Sequence, residues 1–194
     1  VLGPLVAASG GLPADIDVGV RVEGEGSKFG LGDFTYQGFF SPAESGKVIW
    51  GLGPALVFPT HTDRRLGADK WSAGPVAVLL AKPGPWLLGA LAQNVWSYAG
   101  DSDDPNVNFL TFQYFINYNL KNGWYLSSTP IITADWNTDS DERWTVPFGG
   151  GVGRIVKFGK QPLSIRLQGF YYVEKPKPAA DWSMQLEIKF LFPK

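Results

Sequence analysis

The sequence predicts an all-β protein, an antiparallel up-and-down transmembrane β-barrel of about ten strands. Three observations predict it. Apolar and polar residues alternate with period two in segment after segment. Short and long connections alternate strictly along the chain. All eight tryptophans fall close to an expected strand boundary.

The last segment alternates most cleanly. Trp182, Met184, Leu186, Ile188, Phe190 and Phe192 share one face, and Ser183, Gln185, Glu187 and Lys189 share the other. A helix cannot sustain that period. Leu163, Ile165, Leu167, Tyr171 and Val173 oppose Ser164, Arg166, Gln168 and Glu174 in the same way. Leu110, Phe112, Tyr114, Ile116 and Tyr118 oppose Thr111, Gln113, Asn117 and Asn119, and Phe34, Tyr36 and Phe40 oppose Asp33, Thr35 and Gln37. In order, strands are expected near 1–9, 29–41, 47–58, 71–82, 85–98, 107–120, 124–136, 143–156, 162–174 and 181–193. Segments 47–58, 71–82 and 143–156 are rich in Gly and Ala and alternate poorly. Pro54, Pro75, Pro130 and Pro147 inside expected strands imply bulges or kinks. No segment carries the periodicity of an amphipathic helix.

Composition narrows the function classes. A chain of 194 residues, 44% hydrophobic and 18% charged, suits one domain over 1–194 with a large apolar surface. Seventeen basic against 18 acidic residues leave a net charge of −1, which excludes a strongly basic nucleic-acid surface. Without cysteine there is no disulfide, Cys-zinc site or thiol catalysis, and a single histidine removes multi-His metal centres. The longest apolar run, near Val76–Ala81, is far short of the roughly 20 residues of a membrane-spanning helix. Val1–Ala8 resembles part of a signal-peptide core with no Met or basic stretch before it, so the chain is expected to begin after processing or inside a longer protein.

The connections form two alternating sets. The tight set is Ser41–Lys47, Lys82–Pro85, Lys121–Gly123 and Lys157–Gln161; the long set is Gly10–Lys28, Pro59–Lys70, Ala99–Asn106, Asn137–Arg143 and Glu174–Asp181. Barrels of the bacterial outer membrane have short periplasmic turns and longer outer loops. Charge follows the same division. Fourteen of the 18 carboxylates lie in the long set, while the short set holds Lys47, Lys82, Lys121, Lys157 and Lys160 with Glu44 alone. The strands keep only Asp33, Asp135, Arg154, Arg166, Glu187 and Lys189. A wall with one face in hydrocarbon requires such scarcity, since a lipid-facing charge costs roughly 2–4 kcal/mol at the midplane.

Period two does not say which face is inside. A soluble lipocalin-type barrel turns its apolar face inward and a membrane barrel turns it outward. Tryptophan position separates them. Trp71, Trp86, Trp124, Trp144 and Trp182 open strands, Trp50 sits near an opening, and Trp96 and Trp136 sit near strand ends. Indole prefers a membrane interface, ring in apolar surroundings and N–H near water, so two aromatic girdles would look like this. Packing at the rim of a soluble β-core is the alternative.

The segments FGLGDFTYQGFFSP (29–42), WGLGPALVFPT (50–60), LGADKWSAGPVAV (66–78), GPWLLGALAQNVWSYAGD (84–101) and FLFPK (190–194) resemble a family of bacterial outer-membrane proteins. That family is described as transporters of the phenol-degradation meta-pathway, and some members carry the label neuromedin U. The resemblance runs from about residue 29 to the end. It implies an outer-membrane barrel and suggests passage of small hydrophobic or aromatic compounds. It also implies further N-terminal strands, about twelve in all. It supplies no site residues.

Candidate chemistry is sparse. His61, in Pro-Thr-His-Thr-Asp, reads as a solvated loop histidine, since His61 with Asp63 is too short a constellation for hydrolysis. Asp101, Asp103 and Asp104, and Asp139, Asp141 and Glu142, form acidic loops that either stay solvated or share the divalent ions that bridge lipopolysaccharide. Gly149–Gly153 lacks the Gly-Lys-Ser/Thr of a phosphate loop. The candidate site is instead the polar face of the strands: Asp33, Gln37, Gln113, Asn117, Thr133, Asp135, Arg166, Gln168, Glu187 and Lys189, with Arg166 close to Glu187. These side chains either line a narrow polar path or form a hydrogen-bonded plug, because ten or twelve strands leave at most a small passage. The expected function is an outer-membrane channel for small solutes, with outer-membrane lipid and lipopolysaccharide as surroundings. A structural or adhesive barrel with a plugged interior is the alternative. No catalytic residues, metal or cofactor are expected.

Overall fold

The computed structural model describes residues 5–7, 19–21, 32–42, 46–62, 67–159, 161–177 and 179–191. Its strands are β1 (Leu5–Ala7), β2 (Gly19–Arg21), β3 (Phe34–Gln37), β4 (Val48–Phe58), β5 (Lys70–Ala81), β6 (Trp86–Gly100), β7 (Asn108–Asn119), β8 (Trp124–Ser128), β9 (Ile131–Asp135), β10 (Trp144–Phe158), β11 (Gln161–Glu174) and β12 (Trp182–Phe190). The only helical pieces among the described residues are two short 3-10 turns, Lys121–Gly123 and Ser140–Glu142.

One sheet holds every strand, in the order β1-β3-β4-β5-β6-β7-β8-β10-β11-β12-β2. β9 continues β8, since it also lies between β7 and β10. From β3 to β2 the sheet is antiparallel with ten strand positions. The N-terminus differs from expectation. The strand foreseen over 1–9 is three described residues long and joins β3 in parallel, Val6 opposite Tyr36. The expected loop over 10–28 contains β2, which pairs Val20 with Leu186 on the far edge. Both edges are therefore formed by pieces of the first 21 residues, and among the described residues no ladder joins β1 to β2. The rest of 1–31, Glu44, Lys160 and Phe192–Lys194 lie outside the described residues.

Local chemistry explains the interruptions. Between β7 and β8, Asn122 and Gly123 have φ of 59° and 76°. Trp124 N–H bonds back to the Lys121 carbonyl. This Asn-Gly pair makes the left-handed hairpin turn whose twist suits antiparallel strands. Pro147 sits at a register shift between β10 and β11. Thr129 and Pro130 separate β8 from β9. The β5–β6 ladder passes over Gly74 and Pro75, and β3 leaves β4 at Ala55, next to Pro54.

The register sorts the side chains onto two faces. Gln37, Ser72, Thr111, Ser127, Ser164, Gln168, Ser183 and Glu187 are buried, whereas Met184, Leu186 and Ile188 are 49%, 48% and 45% exposed. The polar face is thus the covered one. Cross-sheet bonds show why. Gln37 on β3 donates to Gln93 on β6 at 2.5 Å. Those strands would stand about 14 Å apart in a flat sheet, three spacings of about 4.8 Å. The sheet curls, with its polar face on the concave side.

Glycine makes room for the curl. A Cβ on Gly151 would stand 1.8 Å from the Leu167 carbonyl oxygen, and one on Gly153 would enter the Tyr125 ring. Tyr125 lies across Gly153 and reaches Ser164 on β11, hydroxyl to hydroxyl at 2.7 Å. A Cβ on Gly169 of the exposed face would meet nothing within 4 Å. Gly151→Ala is therefore expected to lower stability by about 2 kcal/mol or more, and Gly169→Ala to change it by no more than about 0.5 kcal/mol, in denaturant unfolding of the two variants.

Candidate functional site

The buried face has two unlike walls. Midway along β4, β5 and β6 it is mainly apolar: Ala55, Val76 and Val95 are almost fully covered, with Val57, Leu91 and Phe109 packed against them. On β8 to β12 it is a connected polar network. Gln168 donates to the Ser127 carbonyl at 3.1 Å and accepts from Thr129 Oγ1 at 2.8 Å. Arg166 donates to Ser127 Oγ at 3.2 Å and to Glu187 Oε2 at 2.5 Å. Lys189 Nζ lies 3.3 Å from the same carboxylate oxygen. Tyr172 donates to Ser183 at 3.1 Å.

Antiparallel register builds this cluster. Arg166 faces Glu187, Gln168 faces Gln185, and Ser164 faces Lys189. On the other side of β10, Gly151 faces both Gln168 and Ser127, so no side chain there separates β8 from β11. The side chains of Arg166 and Glu187 keep only 13% and 5% of their exposure. Burial at that depth makes the pair costly to break, because the remaining charge would stay poorly solvated.

The other expected site residues are spread around this face. Gln113 joins the network through the Thr129 carbonyl at 3.4 Å. Asn117 faces Ser127 on β8, and its buried Oδ1 has no hydrogen-bond partner. Gln37 pairs with Gln93 near the apolar wall. Asp33 and Asp135 are engaged by loops at the rim that carries the long connections. Asp33 accepts from the amides of Thr60, His61 and Ala68 and from the His61 ring, the last at 2.6 Å. Asp135 Oδ1 accepts the Asn137 amide at 3.0 Å.

His61 departs from the sequence expectation. Its side chain is 5% exposed and stands between two carboxylates, with Nδ1 on Asp33 and Nε2 3.2 Å from Asp69. Asp63, its sequence neighbour, lies outside the described residues; Thr60, His61 and Ala68 all bond to Asp33. With a carboxylate on each ring nitrogen, His61 ties down a loop and has no nitrogen left to activate a nucleophile. Among the described residues, no group of three or more His, Cys, Asp or Glu converges as a metal site.

Sequence reasoning did not single out Gln93, Ser127, Thr129 or Tyr125. Ser127 and Thr129 stand beside Pro130 and read as turn residues, and their inward direction follows only from the register with β7 and β10.

The exposed face carries the tryptophans, all eight of them by register. Trp86 packs on Tyr118 at 4.7 Å, and Arg154 lies 5.0 Å over Trp124, both near the short turns. Near the long connections Trp71 packs on Phe58 at 5.4 Å and Trp136 on Trp144 at 5.6 Å. Among the described exposed-face side chains of β3 to β12, Arg154 alone is charged. The amides there are paired: Trp136 Nε1 donates to Asn94 at 2.8 Å, and Asn94 donates to Asn108 at 3.0 Å. Ser128 donates to the Gly149 carbonyl at 2.6 Å.

No family model matches the chain, and no curated protein or solved structure matches it either.

Two predictions follow from this geometry. Arg166→Met should cost about 3 kcal/mol by stranding Glu187, and adding Glu187→Met should recover a large part of that loss in a double-mutant cycle. Asp33→Ala removes the acceptor shared by the loop amides, so hydrogen exchange at His61 and Ala68 should quicken by about tenfold or more while the amides of β11 keep their protection.

Proposed function

We propose that this chain is a β-barrel of a bacterial outer membrane that passes small solutes along its polar inner face. One observation carries the reading: among the described residues the exposed side of the sheet is a mainly apolar band with no charge between two levels of tryptophan, and its one charge, Arg154, lies at the lower level over Trp124. Trp86 and Trp96 lie ten residues apart on β6, as do Trp144 and Arg154 on β10. Ten residues of strand span about 33 Å, or about 25 Å of height at the usual barrel tilt, which is the thickness of the apolar band of such barrels. The hydrogen-bonded asparagines and serine of that face suit lipid, where no water would satisfy them. Closure of the sheet, edge to edge, belongs to the proposal for the same reason.

Small solutes fit the interior better than large ones, because side chains already bond across it between strands two and three places apart, Tyr125 to Ser164 and Gln37 to Gln93. The apolar wall around Ala55, Val76 and Val95 gives a hydrophobic or aromatic solute a surface, in keeping with the motif resemblance. Lipid and lipopolysaccharide are the partners this reading supplies. A second reading, a structural or adhesive barrel with a plugged interior, is favoured by the density of the Arg166, Glu187, Gln168 and Ser127 network.

Conductance in planar bilayers separates them. The channel reading expects small, discrete steps from detergent-folded protein; a folded barrel with neither conductance nor solute flux into liposomes overturns it. Orientation has its own test. Leu186→Arg should weaken folding into lipid vesicles by roughly 2–4 kcal/mol, while the same change at the soluble loop residue Ala179 should cost almost nothing.

A further inference from the structure

Charge divides between the two ends of the sheet. The four short turns hold five lysines against Glu44, and the five long connections hold fourteen carboxylates against eight basic residues. Three cations described at the long end have partners. Lys175 pairs with Asp181 at 3.2 Å, Lys70 donates to the Asp101 carbonyl, and Arg143 stands over Trp136 and donates to the Thr138 carbonyl. At the short end Lys47, Lys82, Lys121 and Lys157 are exposed. Among the described residues, none of these four lies within ion-pair distance of a carboxylate.

Register brings these lysines to one rim. Trp50 faces Leu79 on β4 and β5, and Lys47 and Lys82 follow three residues nearer the turn. Trp124 faces Arg154 on β8 and β10, and Lys121 and Lys157 are again three residues nearer the turns. Three residues are at most about 10 Å of strand, or about 7 Å of height at barrel tilt. A lipid headgroup layer is about 5–7 Å deep, so cations at that distance beyond an indole girdle meet phosphates. A lysine stem is long enough to carry its ammonium to the lipid side of the rim. Lys47 and Lys82 also stand side by side, a like-charge pair that a phosphate between them would relieve.

The exposed face above that pair adds a second feature. A shallow depression of about 280 Å³ lies over Ala77, Ala90 and Ala92, walled by Trp50, Leu52 and Leu79. It suits an acyl chain hanging below a headgroup, whereas an acidic protein would meet the lysines alone.

We propose that the short-turn rim is a docking surface for anionic phospholipid, with Lys47, Lys82, Lys121 and Lys157 on the headgroup phosphates and the alanine-floored depression on an acyl chain. This rests on the reading of the chain as a membrane barrel.

Urea unfolding from phosphatidylcholine vesicles, with and without about one-third phosphatidylglycerol, tests it at low salt. Wild-type protein is compared with a variant carrying Lys47→Gln, Lys82→Gln, Lys121→Gln and Lys157→Gln together. The fall in the folding equilibrium constant should be greater in the anionic vesicles by roughly tenfold or more, and added salt should erase that difference. Equal falls in both lipids overturn the proposal in favour of an acidic protein partner and leave the barrel reading standing. The same lipid dependence from Lys175→Gln with Lys177→Gln, at the other end, overturns it as well. A chain that enters vesicles of neither kind overturns the barrel reading, and co-sedimentation then decides the rim. Binding to the anionic vesicles that falls roughly tenfold or more in the fourfold variant upholds it; no binding, or binding unchanged in that variant, overturns it.

Discussion

Burying the polar side of a sheet is the constraint on which the rest of this structure depends. In an ordinary soluble β-protein the apolar side is covered, and burial itself supplies the driving force. Here the strands turn glutamine, serine, threonine and an Arg–Glu pair toward the concave side. Each such group loses water and must regain a partner from the protein. The partners come from strands that are not neighbours: Ser127 on β8 meets Arg166 and Gln168 on β11 across β10. That reach is possible only because β10 offers glycine at the crossing point. Side-chain polarity, glycine placement and sheet curvature are therefore one device.

The apolar wall of β4 to β6 completes it. There the concave side holds Ala55, Val76 and Val95, which need no hydrogen bonds and pack closely. The polar network can then concentrate on β8 to β12, where β8, the neighbouring Thr129, β11 and β12 supply donors and acceptors around the glycines of β10. Stability on one side comes from packing, and on the other from hydrogen bonds to charged groups, which are stronger than neutral ones when desolvated. An interior of two kinds is also chemically more selective than a uniform one, since a solute must suit both walls at once.

The same division explains what the sequence reveals. β7, β11 and β12 are legible because their two faces differ in polarity, and period two exposes the contrast. β4 and β5 are legible as strands but their faces are not, because alanine, valine and leucine occupy both. In the strand over residues 144–158 the alternation, though not the strand, is obscured by Gly149–Gly153, whose role is to admit neighbouring backbone and Tyr125. The Arg166–Glu187 pair could be anticipated from antiparallel order alone. The Asp33–His61–Asp69 arrangement could not, since it depends on how a loop folds back across 28 residues of chain. Likewise, no local signal distinguishes β1 as a parallel edge strand, because a parallel partner is chosen by tertiary position and not by the residues that pair.

The exposed face determines which surroundings suit the sheet. Five of its tryptophans, Trp71, Trp86, Trp124, Trp136 and Trp144, stand against another aromatic ring or a guanidinium, at two heights, with no charge between. In water such a surface would be a large apolar patch of the sort that drives association. In lipid it would simply be solvated, and Asn94, Asn108 and Ser128 each already have a hydrogen-bond partner within the protein. A soluble carrier would need the reverse arrangement, with Leu186 and Ile188 covered and Glu187 exposed. The register of β11 against β12 makes those alternatives exclusive, because a one-residue slip would move every one of these side chains to the opposite face. The Arg166–Glu187 pair holds that register, so the contact at the centre of the candidate site also decides which face of the sheet meets the surroundings.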